Sequence, residues 1–340
     1  MPEMKSLARD TAIYGLSSML GRFLNWLLVP FYTFVLTSSA DYGIVTNLYA
    51  WTALLIVILT YGMETGLFRF INNDENNPRE VYSTTLICVG FTSALAILCF
   101  VLFAPSISHF LTYDAHPEYV AMMGIIVSID AFDCIPFAHL RQQQKALKFA
   151  AIKLLGIIVN IGCNLFFLIL CPKLMMSHPA LVEWFFRPDY GVGYVFVSNL
   201  ISTGAITLCL LPDILRAGWH FNGALLQRML RYSLPLLILG VAGIMNQTLD
   251  KILFPFLYRN GDAQAELGIY GACFKVAMVM MMFTQAFRYA YEPFVFAKHK
   301  DKNSVETYAD AMKYFVIFSL LILLGMVFCL DTVLIFVFVF

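Results

Sequence analysis

Charge is what this chain has least of. Only 13% of its 340 residues are Asp, Glu, Lys or Arg, about half the share of a soluble domain. Cations and anions balance at 22 each. A net charge of zero excludes a general nucleic-acid binder, which needs a basic excess. No Walker A loop, Gly-rich dinucleotide loop, GxSxG or HExxH occurs, so nucleotide-driven and common hydrolytic chemistries have no carrier, and no cofactor is expected. The eight cysteines (88, 99, 134, 163, 171, 209, 273 and 329) make no CxxC or Cys/His spacing. All lie in or at the end of apolar runs and read as small hydrophobes, not as a disulfide framework or metal ligands.

What is abundant is hydrophobic. Sixty per cent of the residues are apolar, with 31 Phe and 17 Tyr, which suits lipid-facing and interfacial surface. A helix needs about 20 apolar residues to cross the hydrocarbon core. Nine stretches qualify: 12–36, 43–70, 82–105, 119–140, 150–171, 190–212, 232–258, 267–296 and 313–330. Several exceed that length, which implies tilt or extension beyond the bilayer. The first follows Lys5 and Arg9 like a signal peptide, but it is too long and no small-residue cleavage site follows, so it reads as a retained helix. The fold class is therefore an all-α, multi-pass membrane bundle.

Loop charges set an orientation. With the N-terminus inside, fifteen Lys and Arg fall in cytoplasmic segments, against three outside, Lys173, Arg187 and Arg259. Positive residues are retained on the cytoplasmic side of short loops. The stretch 213–231 mixes Trp219, Phe221, Leu225, Leu226, Met229 and Leu230 with basic residues, the pattern of an interfacial amphipathic helix.

The chain also repeats itself. A shift of 225 places Leu24 on Leu249, Pro30 on Pro255, Phe31 on Phe256, Ala40 on Ala265, Gly43 on Gly268 and Ile44 on Ile269. At 228, Tyr61 meets Tyr289, Glu64 meets Glu292 and Phe68 meets Phe296. Six spans separate the copies, so both start on the same side, as in transporters built of parallel repeats around a central pathway. The expected organisation is a six-helix N-lobe over 1–212, a cytoplasmic amphipathic connector over 213–231 and an incomplete C-lobe of about three spans over 232–340. Only residues 226–340 remain for the second copy, which suggests a truncated or frame-shifted version of a longer protein.

Ionisable residues within spans cost about 2.5–3.5 kcal/mol on insertion scales and tend to face an internal cavity. Ser18, Arg22 and Asn25 form one stripe in the first span. Arg22 stays charged and suits an anion such as phosphate, which guanidinium binds with paired hydrogen bonds. Equally, it could pair with Asp250 or Asp133. Asp130 and Asp133 in the fourth span could hold a proton or a cation, or pair with Lys153 or Arg141. Asn160 and Asn164 suit packing between helices. Asp250 and Lys251 are neighbours and point in different directions, favouring separate partners. Lys275, Arg288 and Glu292 share the eighth span. Glu64 with Arg69, and Arg288 with Glu292 at the matching place, read as ion pairs of an inner gate or as a structural clamp.

The stretches Leu16–Leu36 and Ala40–Gly43 (ADYG), with Tyr61–Phe70, Ile129–Arg141, Asn246–Pro255 and Leu267–Gly271, resemble the bacterial polysaccharide and O-antigen unit flippases. These belong to the multidrug/oligosaccharidyl-lipid/polysaccharide exporter superfamily. The resemblance implies two six-helix lobes forming a V. It implies a transporter, not an enzyme, that moves undecaprenyl-diphosphate-linked oligosaccharide across the bacterial cytoplasmic membrane. Membrane lipid, the lipid-linked sugar and polysaccharide assembly proteins are the implied partners. Gly21–Arg22 resembles the Ser–Arg pair of related lipid II flippases, where the arginine faces a cationic cavity. Arg22, Asn25, Lys251, Lys275 and Arg288 would line that cavity, and Glu64, Arg69, Asp130, Asp133, Asp250 and Glu292 would serve gating or coupling. The alternatives are a cation-coupled multidrug exporter that relies on Asp130 and Asp133, or a non-catalytic membrane fragment or scaffold. A membrane glycosyltransferase or polymerase is disfavoured, because the longest external loop, about 172–190, has only His178, Glu183 and Asp189.

Overall fold

The computed structural model describes residues 20–21, 23–24, 26–36, 38–73, 76–259, 261–298 and 304–328, without the side chains of 279, 285–286, 288–298 and 304–308. Among the described residues all regular structure is helical. The helices are α1 (Trp26–Val35), α2 (Ser39–Thr60), α3 (Met63–Ile71), α4 (Pro78–Leu102), α5 (Ala104–Phe110), α6 (Pro117–Gln142) and α7 (Ala146–Leu165). They continue with α8 (Cys171–Ser177), α9 (Pro179–Val182), α10 (Gly191–Leu215), α11 (Gly223–Leu257), α12 (Ala263–Lys298) and α13 (Ser304–Phe328). Eight described stretches are long and apolar enough to cross a membrane, and each coincides with one of the second to ninth spans expected from sequence.

Local chemistry fixes the ends. Ser38 caps α2 by accepting from the Asp41 N–H, Asn77 caps α4 ahead of Pro78 in its first turn, and Asn222 caps α11, each satisfying an N–H with no helical partner. The second span is not one helix. Tyr61 and Gly62 adopt φ of 33° and 73°, the left-handed conformation that ends a helix, and α3 restarts beyond them. A side chain at Gly62 would also stand 2.9 Å from the Ser233 carbonyl of α11. The fifth span runs through a π-helical turn, Phe166–Leu170, into α8. The amphipathic stretch expected over 213–231 is not a separate helix. Its first residues end α10, Arg216–Asn222 form a turn, and the rest opens the 35-residue α11.

Helices α2, α3, α4, α6, α7 and α10 pack into one unit around α6, the most enclosed of the membrane-spanning helices. Two apolar clusters hold it, one at each end. One gathers Leu48, Tyr119, Met123, Val195 and Phe196, and the other gathers Met63, Leu67, Ile135, Leu140 and Leu210. Between them α6, α7 and α10 carry Asp130, Asp133, Lys153, Asn160, Asn164, Asn199 and Thr203. The unit is thus held by apolar packing towards both ends and lined by polar groups at its waist.

Helices α11 and α12, which hold the expected second copy of the repeat, dock on α2. The glycines matched by the 225-residue shift meet each other. A Cβ on Gly43 would fall inside the Gln264 carbonyl, and one on Gly268 inside the Ser39 carbonyl. Ser39 and Gln264 are themselves related by the same shift. The contact is therefore reciprocal, the signature of a two-fold relation. Gly271 likewise lies against Thr46, its own counterpart. Small residues here let two backbones approach closely.

Candidate functional site

Two cavities flank this crossing. The first, of about 440 Å³, lies between α1 and α2 on one side and α11 and α12 on the other. Gln247 and Lys251 of α11 and Lys275 of α12 line it, with Tyr32, Thr46 and Tyr49 opposite. Its walls are tied across the copies. The Asn47 amide donates to the Lys251 carbonyl at 2.7 Å, and the Trp26 indole N–H donates to the Lys275 carbonyl at 2.9 Å. The first bond has a covalent origin. Pro255 has no N–H to give the carbonyl four residues before it, which is that of Lys251, and the Asn47 side chain takes the vacated place.

The Lys251 ammonium donates to the Gln247 carbonyl and to Asp250, both at 3.0 Å, and lies 3.5 Å from the centre of the Phe274 ring, a cation–π arrangement. Asp250 also accepts from the Tyr270 hydroxyl. Asp250 and Lys251 are therefore mutual partners, contrary to the expectation drawn from their adjacency. The lysine stem is long enough to curl back along its own helix. Lys275 reaches the same cavity, and among the described residues it has no carboxylate within ion-pairing distance.

The second cavity, of about 560 Å³, is the polar waist of the first unit, lined by Glu64, Asp130, Asp133, Arg141, Lys153 and Thr203 among others. Asp130 accepts from Thr203 at 3.2 Å and Asp133 from Thr207 at 2.7 Å. The second Asp133 oxygen is buried without a hydrogen-bond partner. Lys153 places its ammonium 4.3 Å from the centre of the Phe137 ring and makes no ion pair with either aspartate within 4 Å. Asn160 and Asn199 line both cavities and so form the partition between them. Asn164 donates to Asn160 on its own helix and also hydrogen-bonds the Tyr32 hydroxyl of α1, the packing between helices that was expected.

The gate pairs also differ from expectation. Glu64 pairs with Arg141 of α6 and accepts from the Cys134 thiol, not from Arg69. The Arg69 guanidinium lies 4.2 Å from the centre of the Tyr232 ring on α11. Glu64 and Arg69 are about one and a half turns apart and point to different faces, whereas the folded chain brings Arg141 to the carboxylate. Arg22 and Asn25 lie outside the described residues, and so do the side chains of Arg288 and Glu292. Of the expected cavity residues, the structure brings together Lys251 and Lys275. Asn47, Asn199, Thr203 and Thr207 were not anticipated. The last three recur every four residues along α10, a polar stripe that helical spacing makes legible. Among the described residues no three His, Cys, Asp or Glu converge as metal ligands.

A family model described as "Polysaccharide biosynthesis protein" matches residues 7–290. A search of curated protein sequences found no significant match. Among solved structures, the chain is similar to the MATE multidrug transporter DinF-BH, determined as a complex. The TM-score is 0.60 at 15% identity, covering 92% of this chain and 71% of that one. At that identity the likeness establishes the fold.

Proposed function

Since the chain belongs to the polysaccharide biosynthesis protein family, and is a multi-span helical membrane protein of the MATE-like fold, we propose that it moves undecaprenyl-diphosphate-linked oligosaccharide units across the bacterial cytoplasmic membrane. In this reading the N-terminus is cytoplasmic, as the fifteen-to-three bias of loop cations favours. The observation that carries it is the pair Lys251 and Lys275, facing one cavity between the two copies. A lysine without a carboxylate partner in a low-dielectric wall is stabilised by an arriving anion, and charge-assisted bonds to phosphate are about twice as strong as neutral ones. The diphosphate sits between the ammonium groups with the sugar in the cavity, while the prenyl tail stays in lipid. Arg22, Asn25 and Arg288 are assigned to the same path from the sequence alone. Glu64 with Arg141 closes the inner end, and alternating access follows from rocking of the copies about their crossing.

The test is a leaflet-resolved assay of a fluorescent prenyl-diphosphate sugar in proteoliposomes holding the full chain. Wild-type protein is expected to move the lipid, and Lys275→Ala and Arg22→Ala to slow it in a salt-dependent manner. Wild-type rates in both variants would remove the phosphate role. The waist supports a second reading, a cation-coupled exporter. Besides Glu64 it has Asp130 and Asp133, the latter with an unpartnered oxygen. In that reading Asp130→Asn with Asp133→Asn abolishes transport of an organic cation, whereas the lysine variants leave it intact.

A further inference from the structure

A third region takes no part in that path. On one face of the first unit, apart from the cavity of the two lysines, helices α4, α6 and α10 present one continuous strip that changes character along its length. At the end carrying the basic loops, a cavity of about 500 Å³ is lined by Arg79, Lys145 and Arg216, with His139 stacked on Tyr82 as its floor. Further into the membrane the same three helices enclose a groove of about 1040 Å³. Its lining is almost wholly apolar, with Phe91, Phe132, Gly204 and Leu208 on its walls. The two line up by helical register. On α4 the strip runs Arg79, Tyr82, Leu86, Gly90, Ser93 and Ile97, and on α10 it runs Ile201, Ala205 and Leu208, each step three or four residues, with Arg216 at the end of α10 on the basic side.

The charges at the basic end are uncompensated. Asp213, the carboxylate in that cavity, is paired with Lys148, and nearby Glu80 accepts from Asn222. Arg79, Lys145 and Arg216 have no carboxylate within ion-pairing distance among the described residues. In the groove, the Ser93 hydroxyl is buried without a hydrogen-bond partner, an unusual state for a polar group. Where groove meets cavity stands Trp219, in the turn after α10 and more than half exposed, the residue type that settles at the headgroup level.

The geometry points to a binding site for one anionic glycerophospholipid on the face formed by α4, α6 and α10, its phosphate among Arg79, Lys145 and Arg216 and an acyl chain in the groove. Basic pockets between membrane helices hold anionic headgroups by this combination. A zwitterionic lipid would bring its own cation to a site that already has three, and a free phosphate would leave the groove unused. The site is separate from the cavity of the two lysines and does not depend on the transport reading.

Native mass spectrometry of the full chain, titrated with phosphatidylglycerol and with phosphatidylcholine of the same chains, tests this. Wild-type protein is expected to retain phosphatidylglycerol in preference. The triple variant Arg79→Gln, Lys145→Gln, Arg216→Gln, all at exposed positions, should lose that preference by about a hundredfold. Gly204→Leu fills the groove at a point where a Cβ meets nothing within 4 Å, so folding is spared. It should weaken both lipids, by roughly tenfold. Glycerol 3-phosphate, which has the headgroup charge and no chain, should fail to displace the lipid. The proposal is overturned if the triple variant keeps the preference, if Gly204→Leu binds like wild type, if glycerol 3-phosphate competes fully, or if the groove proves to be covered by a second copy that Gly204→Leu releases.

Discussion

The two inner cavities share a partition and differ in almost everything else. The waist of the first unit is built from one copy, and each aspartate is held by a threonine one helix away, on α10. The cavity between the copies is built from both. Its lysines sit on helices whose carbonyls are anchored from the opposite copy by Asn47 and Trp26. The waist keeps its walls if the copies move relative to each other, and the cavity between them does not. In the proposed reading, Lys275, which has no carboxylate partner among the described residues, meets the cargo where the walls move, whereas Asp130 and Asp133 stand, beside Lys153, where they do not.

The sharpest way to break this contrast is to remove both lysines. Each charged hydrogen bond to phosphate contributes about 1.5–3 kcal/mol, so Lys251→Ala with Lys275→Ala should slow prenyl-diphosphate sugar movement by two orders of magnitude or more in the leaflet assay. An effect under about threefold would return the anion to some other surface. Next comes the crossing itself. Gly43→Leu forces α2 from the Gln264 backbone and should cost about 3 kcal/mol or more, at the upper end of overpacking, read as a lowered thermal midpoint in detergent. Gly162→Leu, at a helical glycine with open space around it, is the matched control and should be neutral or slightly stabilising. Glu64→Gln, which strips a partly exposed Arg141 of its carboxylate, should cost about 1 kcal/mol in denaturant titration. The smallest effect is expected from Asp133→Asn, which keeps the size and the acceptor for Thr207. It should leave sugar-lipid movement within about twofold, and a larger loss would mean that the waist titrates during transport.

Much of the architecture was legible because the bilayer imposes one length on every helix. Eight of the nine apolar runs became spanning stretches, the first lying largely outside the described residues, and the glycines matched by the 225-residue shift turned out to meet each other. Side-chain partnership was not legible to the same degree. Glu64 lies within two turns of Arg69 in sequence, yet its partner is 77 residues away, because α3 lies against the end of α6. Asp250 and Lys251 point apart at the backbone and meet at the ends of their side chains. Asn47 gave no signal alone. Its role exists only because Pro255, on another helix, leaves a carbonyl without its donor. Spacing within a helix predicts a face, but it does not say which neighbour that face will meet.

The reciprocal contact of Gly43 and Gly268 has a genetic consequence. After a duplication, most positions in two copies are free to diverge, since each sees different surroundings. Positions at a self-equivalent crossing are not. An enlargement at Gly43 is resisted by the backbone of the other copy, and the same enlargement at Gly268 by the backbone of the first. Relief must come from the partner copy, so the two halves are bound to a shared history at this point, however far the rest of their sequences separate.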